Sequence, residues 1–195
     1  LRAGSMESSF LVTTASLLLS SPELRDALRP DLILRFGRLP TTSVLAETLA
    51  EYDSIRQILV NPSGSRYDDS GAVDTIIRSD PSTFIKTLLD ALENRPVPES
   101  QSRYHNQVTA LETRARKRLT ESLGNTAAMF EGRVISETLQ RLPKDTPLFV
   151  SSSMPIRDLD FYGLPTETAF PIYFNRGVSG IEPTTSTSTT ITTAS

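Results

Sequence analysis

Short apolar runs alternate with longer amphipathic stretches along this chain, and that alternation restricts it to an α/β fold built on parallel strands. Asp31-Leu32-Ile33-Leu34-Arg35-Phe36-Gly37 reads as a buried strand. Arg56-Gln57-Ile58-Leu59-Val60 and Thr75-Ile76-Ile77 read as two more, with a turn at Asn61-Pro62-Ser63-Gly64. Leu17 to Leu28 reads as a helix interrupted near Pro22, where Ser21 caps the second part and Pro22 takes its first position. Pro40-Thr41-Thr42-Ser43 is an N-cap region for a helix near Val44 to Tyr52, with Leu45 and Leu49 on one face. Asp80-Pro81 opens a helix over Ser82 to Leu92, striped by Phe84, Ile85, Leu88, Leu89 and Leu92.

The polar, proline-containing stretch from Asn94 to Ser102 is the best linker in the chain. It divides a first domain, residues 1–95, from a second, residues 103–182, with 96–102 between them. The second domain opens with a basic amphipathic helix, about Tyr104 to Leu123, followed by a helix over about Phe130 to Leu142. Two apolar runs follow, Leu148-Phe149-Val150 and Pro171-Ile172-Tyr173-Phe174. Residues 183–195 are nearly all threonine and serine, have little to bury and are expected to be disordered.

Composition narrows the function. There is no cysteine, so disulfides and thiolate metal sites are excluded, and a single histidine, His105, excludes a multi-histidine metal cluster. A net charge of −3 gives no support for a nucleic-acid or membrane-surface partner. The charged run Arg114-Ala115-Arg116-Lys117-Arg118 lacks interleaved aromatic residues and reads as a solvated helix flank. The apolar stretch from Phe10 to Leu19 is broken by threonine and serine, lacks a basic leader and reads as core, so a cytoplasmic location is expected.

The chemistry concentrates in two segments: Ser151-Ser152-Ser153-Met154-Pro155-Ile156-Arg157-Asp158 and Asn175-Arg176-Gly177-Val178-Ser179-Gly180-Ile181. Each follows an apolar run and reads as the loop at the C-terminal end of a buried strand, where open α/β sheets bind ligands. Arg157 and Arg176 are thereby expected at the same edge of one sheet. Paired guanidinium groups favour a substrate rich in carboxylate or phosphate, and Gly177 and Gly180 permit close backbone approach. Asp158 and Asp160, like Asp68 and Asp69, read as turn residues, and His105 as a capping or surface group at a helix start. Glycine-rich dinucleotide and Walker A signatures are absent, as is nucleophile-elbow spacing around Ser179.

These two segments resemble the 2-succinyl-5-enolpyruvyl-6-hydroxy-3-cyclohexene-1-carboxylate synthase family of menaquinone and phylloquinone biosynthesis, whose pattern is roughly G-N-S-M-P-I/V-R-D and N-R-G-A-S-G-I-D-G. Upstream, Arg29-Pro30-Asp31-Leu32-Ile33-Leu34-Arg35-Phe36-Gly37 and Leu39-Pro40-Thr41-Thr42-Ser43 are similar to the same family's middle domain. The resemblance spans roughly residues 15 to 182. It implies a fragment of a thiamine-diphosphate-enzyme fold: an N-terminally incomplete middle domain and the start of a cofactor diphosphate-binding domain. It also implies thiamine diphosphate and Mg²⁺ as cofactors, 2-oxoglutarate and isochorismate as substrates, decarboxylation followed by carboligation, and a homo-oligomeric parent. By resemblance, Arg157, Arg176 and Ser153 bind substrate, while Gly180 and Ile181 face the cofactor, Ile181 propping it in its bent conformation.

The chain departs from the pattern where Ser151-Ser152 replace Gly-Asn and Glu182-Pro183 replace Asp-Gly. The activating glutamate of the family's N-terminal domain and its downstream metal-binding motif lie outside this sequence. The chain on its own is therefore expected to be inert, with no catalytic residue and no metal ligand of its own. Two other functions compete with this one: a different thiamine-diphosphate enzyme such as an acetolactate synthase relative, and a non-catalytic anion-binding module.

Overall fold

The computed structural model describes residues 11–39, 42–68, 70–164 and 171–174. Its elements run α1 (Ala15–Leu18), α2 (Pro22–Ala27), β1 (Leu32–Phe36), α3 (Ser43–Glu51), β2 (Arg56–Asn61), β3 (Thr75–Arg78) and α4 (Pro81–Leu92). They continue with α5 (Glu99–Asn125), α6 (Glu131–Arg141), β4 (Leu148–Val150), α7 (Met154–Tyr162) and β5 (Ile172–Phe174). The mixed α/β class with parallel sheets agrees with the alternation in the sequence. The chain forms two compact units, one of Leu18–Val108 and one whose described residues come from 11–17 and from Thr109 onward.

In the first unit β1, β2 and β3 form a parallel sheet in that order. The Gln57 amide donates from Nε2 to the Leu49 carbonyl of α3, at 2.7 Å, so α3 lies on the face to which Gln57 points. Phe36, register partner of Val60, meets Phe84 of α4 edge to face at 6.1 Å between centroids. Val60 and Gln57 are three positions apart and point oppositely, so α3 and α4 cover opposite faces. Leu59 and Val60 of the central strand are fully buried. The helix starts follow their caps: the Ser21 hydroxyl accepts from the Leu24 amide ahead of Pro22, and the Asp80 carboxylate accepts from the Thr83 amide ahead of Pro81.

β1 is not the buried strand that its apolar run implies. Leu32 is 51% exposed and Phe36 38%, while Arg35 is buried. β1 flanks the sheet, and the Arg35 guanidinium turns inward to the Asp68 carboxylate, 2.9 Å away. Asp68 is more than a turn residue: it also accepts from the Ser70 hydroxyl and the Val73 amide, closing the loop that leads to β3. Burial opposes its ionisation, but these hydrogen bonds and Arg35 outweigh it and hold the carboxyl at about 2.

α5 starts five residues before the amphipathic pattern suggests. Pro98 cannot continue a helix backward, but its carbonyl accepts from the Gln101 and Ser102 amides, and Glu99 favours the positive end of the helix. His105 consequently lies within α5 rather than at its start. Along the basic run, Lys117 and Arg118 both approach Glu121, and Arg116 pairs with Glu112.

The second unit corrects the reading of the apolar N-terminal stretch. Thr13, Thr14 and Ser16 are buried there, whereas Leu11 and Leu17 are exposed. The cause is Glu112, itself 5% exposed. Its carboxylate accepts from the amide and hydroxyl of Thr13, the amide and hydroxyl of Thr14, and Nε of Arg116. Desolvation alone would raise this carboxyl, but the donors override it and hold it at about 2. Elsewhere α6 lies against α7 through Gly132, where an added Cβ would meet the Tyr162 ring at 2.6 Å, and Phe130 meets the same ring edge to face.

Two outcomes follow from this geometry. Because Glu112 and Asp68 both titrate lower folded than unfolded, the stability that they supply is complete above about 4.5 and is lost as pH falls toward about 2. A denaturant titration at each pH reads this, and Glu112→Gln flattens the slope. Gly132→Ala destabilises the chain by about 1–3 kcal/mol through overpacking against Tyr162, measured as a lower denaturation midpoint.

Candidate functional site

β4 and β5 pair in parallel, Leu148 opposite Ile172, Phe149 opposite Tyr173 and Val150 opposite Phe174. Parallel pairing puts both C-terminal ends at the same edge of the sheet, so the segments that begin at Ser151 and at Asn175 leave from neighbouring points. These strands are less buried than their composition suggests: among their described residues only Val150 is buried, and Tyr173 is 42% exposed.

The segment after β4 is a tight link and a helix, not an extended loop. α7 begins at Met154, with Pro155 in its first turn, where a fixed φ is already helical and a missing amide hydrogen costs nothing. Asp158 and Asp160 thus sit on a helix rather than in a turn. Asp158 is buried at 8% exposure; burial, then the charge of Glu131, pushes its carboxyl up. Asp160 accepts a hydrogen bond from the Ser16 hydroxyl.

Ser153 occupies the N-cap position of α7 with φ 73° and ψ −128°, a conformation that an L residue rarely adopts. Strain of this kind persists only where the surroundings impose it, and it is concentrated at ligand sites. The positive φ falls on Ser153 and not on Ser151 or Ser152, so serine at those two positions carries no such strain. Arg157 projects from the first turns of α7, exposed, its Nη1 at 3.8 Å from the Met154 sulfur. Its charge is unneutralised by any ion pair among the described residues and lies near the positive end of α7, which favours an anion at this edge. Arg176, Gly177, Gly180 and Ile181 lie outside the described residues, as does Asp69.

The comparisons with known proteins bear on this arrangement. The chain is 29% identical over 187 residues to the 2-succinyl-5-enolpyruvyl-6-hydroxy-3-cyclohexene-1-carboxylate synthase of Bacillus cytotoxicus, which covers 96% of this chain and 31% of that protein. It is 33% identical over 177 residues to the synthase of the same name from Microcystis aeruginosa, 91% of this chain and 30% of that one. With the Geobacillus thermodenitrificans synthase it shares 32% identity over 182 residues. Over this length the chain belongs to the 2-succinyl-5-enolpyruvyl-6-hydroxy-3-cyclohexene-1-carboxylate synthase family. It spans about 30% of the length of the curated relatives that it matches. No protein-family model matches it.

The described residues hold the first of the two motifs and the strand that precedes the second. Among them no group of three or more His, Asp or Glu residues is placed to hold a metal ion. No helix among them is long and apolar enough to cross a membrane. Sequence reasoning missed the buried hydroxyls of Thr13 and Thr14, which bond Glu112 of α5, and of Ser16, which bonds Asp160 of α7. Their signal was present: three hydroxyl residues interrupt an otherwise apolar run.

The strained cap gives a direct test. Ser153→Gly removes the positive-φ penalty and raises stability by about 1 kcal/mol, read as a higher thermal midpoint.

Proposed function

We propose that this chain forms part of a thiamine-diphosphate-dependent synthase that decarboxylates 2-oxoglutarate and adds the resulting four-carbon unit to isochorismate. In this proposal residues 1–95 are the middle domain and 103–182 the opening of the cofactor diphosphate-binding domain, joined through 96–102. One observation carries the reading: β4 and β5 run parallel and adjacent, so the two family motifs that follow them start at the same sheet edge. The similarity to the named synthases over 80–96% of the chain supports it independently.

In this reading Arg157 and Arg176 bind carboxylates of the two substrates, and Ser153 donates its hydroxyl in the same site. Both substrates carry more than one carboxylate, which is why two guanidinium groups serve one pocket. Gly180 allows the backbone to approach the cofactor, and Ile181 supports it with a stiff, β-branched side chain. The cofactor supplies the electron sink for decarboxylation when bound. By the resemblance, the metal ligands belong to polypeptide beyond the matched stretch, and the residues of this chain orient and neutralise anions. The parent acts as a homo-oligomer in the cytoplasm.

The purified chain supplied with thiamine diphosphate, Mg²⁺ and 2-oxoglutarate is expected to release no carbon dioxide. Calorimetric titration with 2-oxoglutarate alone is expected to show binding that Arg157→Ala weakens roughly tenfold, the loss of one charge-assisted contact. Unchanged affinity in that variant removes Arg157 from the site.

A further inference from the structure

A nine-residue helix does not hold itself in water, so α7 takes its position from what it touches. One neighbour is α6, through Tyr162 and Gly132. Another is the segment of residues 11–16, through Ser16. That segment is fixed at two points by carboxylates from different elements. Glu112 of α5 receives the Thr13 and Thr14 amides and hydroxyls at 2.5–3.1 Å. Asp160 of α7 receives the Ser16 hydroxyl. Arg116 adds to the first point, donating to the Thr13 hydroxyl and the Leu11 carbonyl, each at 3.1 Å. Thr13, Thr14 and Ser16 are 2%, 3% and 5% exposed, so water has little access to the hydroxyls that make these bonds.

We infer that residues 11–16 act as a strap that positions α7, with Ser16 and Asp160 as positioning residues for Arg157 and the strained Ser153. Asp160 lies three residues beyond Arg157, close to one helical turn. A tether at Asp160 therefore fixes both the rotation and the height of the turn that carries Arg157. The strap is anchored on α5 through Glu112, so the geometry of the substrate side of the site depends on residues well over a hundred positions upstream in the sequence. Its functional consequence rests on the proposed substrate role of Arg157.

The test uses the full 195-residue chain as wild type, Ser16→Ala, Ser16→Thr and Arg157→Ala. Amide hydrogen exchange is followed across α7 and, as a reference, across β2. Ser16→Ala is expected to speed exchange in α7 roughly fivefold, the equivalent of one hydrogen bond, with β2 unchanged. Ser16→Thr, which keeps the hydroxyl, restores the wild-type rate. Affinity for 2-oxoglutarate is expected to fall about threefold to fivefold in Ser16→Ala and to recover in Ser16→Thr. Arg157→Ala weakens binding while leaving α7 exchange as in the wild type. Unaltered α7 exchange in Ser16→Ala, or no rescue by threonine, overturns the strap. A wild-type chain that binds no 2-oxoglutarate overturns the substrate role of Arg157 instead, and the exchange comparison then decides the strap by itself.

Discussion

A single buried carboxylate organises the second unit. Glu112 is 5% exposed and accepts five hydrogen bonds, four of them from Thr13 and Thr14. An ionised carboxylate removed from water costs several kcal/mol unless its lone pairs are satisfied, and here the satisfaction comes from an otherwise unstructured stretch of chain. The arrangement dictates which side chains of that stretch go inside. Hydroxyls are drawn in, leucines are left out, and the next turn delivers Ser16 to Asp160 on α7. Arg35 with Asp68 plays a comparable part in the first unit, where an ion pair takes an inward position that an aliphatic residue normally fills.

The elements were legible where local chemistry decides them. Ser21-Pro22 and Asp80-Pro81 announce helix starts, and Gly64 closes a turn at φ 70°. Apolar runs gave each strand within a residue or two. Burial was less legible, because it depends on neighbours that a periodic pattern does not name. Leu32 and Phe36 lie on a flanking strand, and Arg35 turns inward only because Asp68 waits 33 positions later. The start of α5 was hidden by the prolines ahead of Glu99, which read as linker although the second of them accepts the first bonds of the helix.

The candidate site was legible as a pair of motifs but not as a shape. Two arginines after two apolar runs led to one sheet edge; β4 and β5 do pair in parallel, while Arg176 itself lies outside the described residues. The helix hidden in the first motif was obscured by its serines and aspartates, which are equally at home in turns and at helix ends. Only Pro155 marked it. The backbone of Ser153 was beyond any sequence pattern, since nothing in a run of three serines says which of them takes a positive φ. Its strain marks this position as a candidate functional site on grounds that do not rest on resemblance.

The stripe on α4 has a consequence for how this polypeptide fares in a cell. Ile85, Leu89 and Leu92 are 41%, 61% and 45% exposed, and Val97 beyond them 69%. Apolar area of that extent on one helix is what chaperones recognise and what proteases and inclusion bodies exploit. An exposed apolar stripe of this kind makes the chain prone to self-association and to proteolysis.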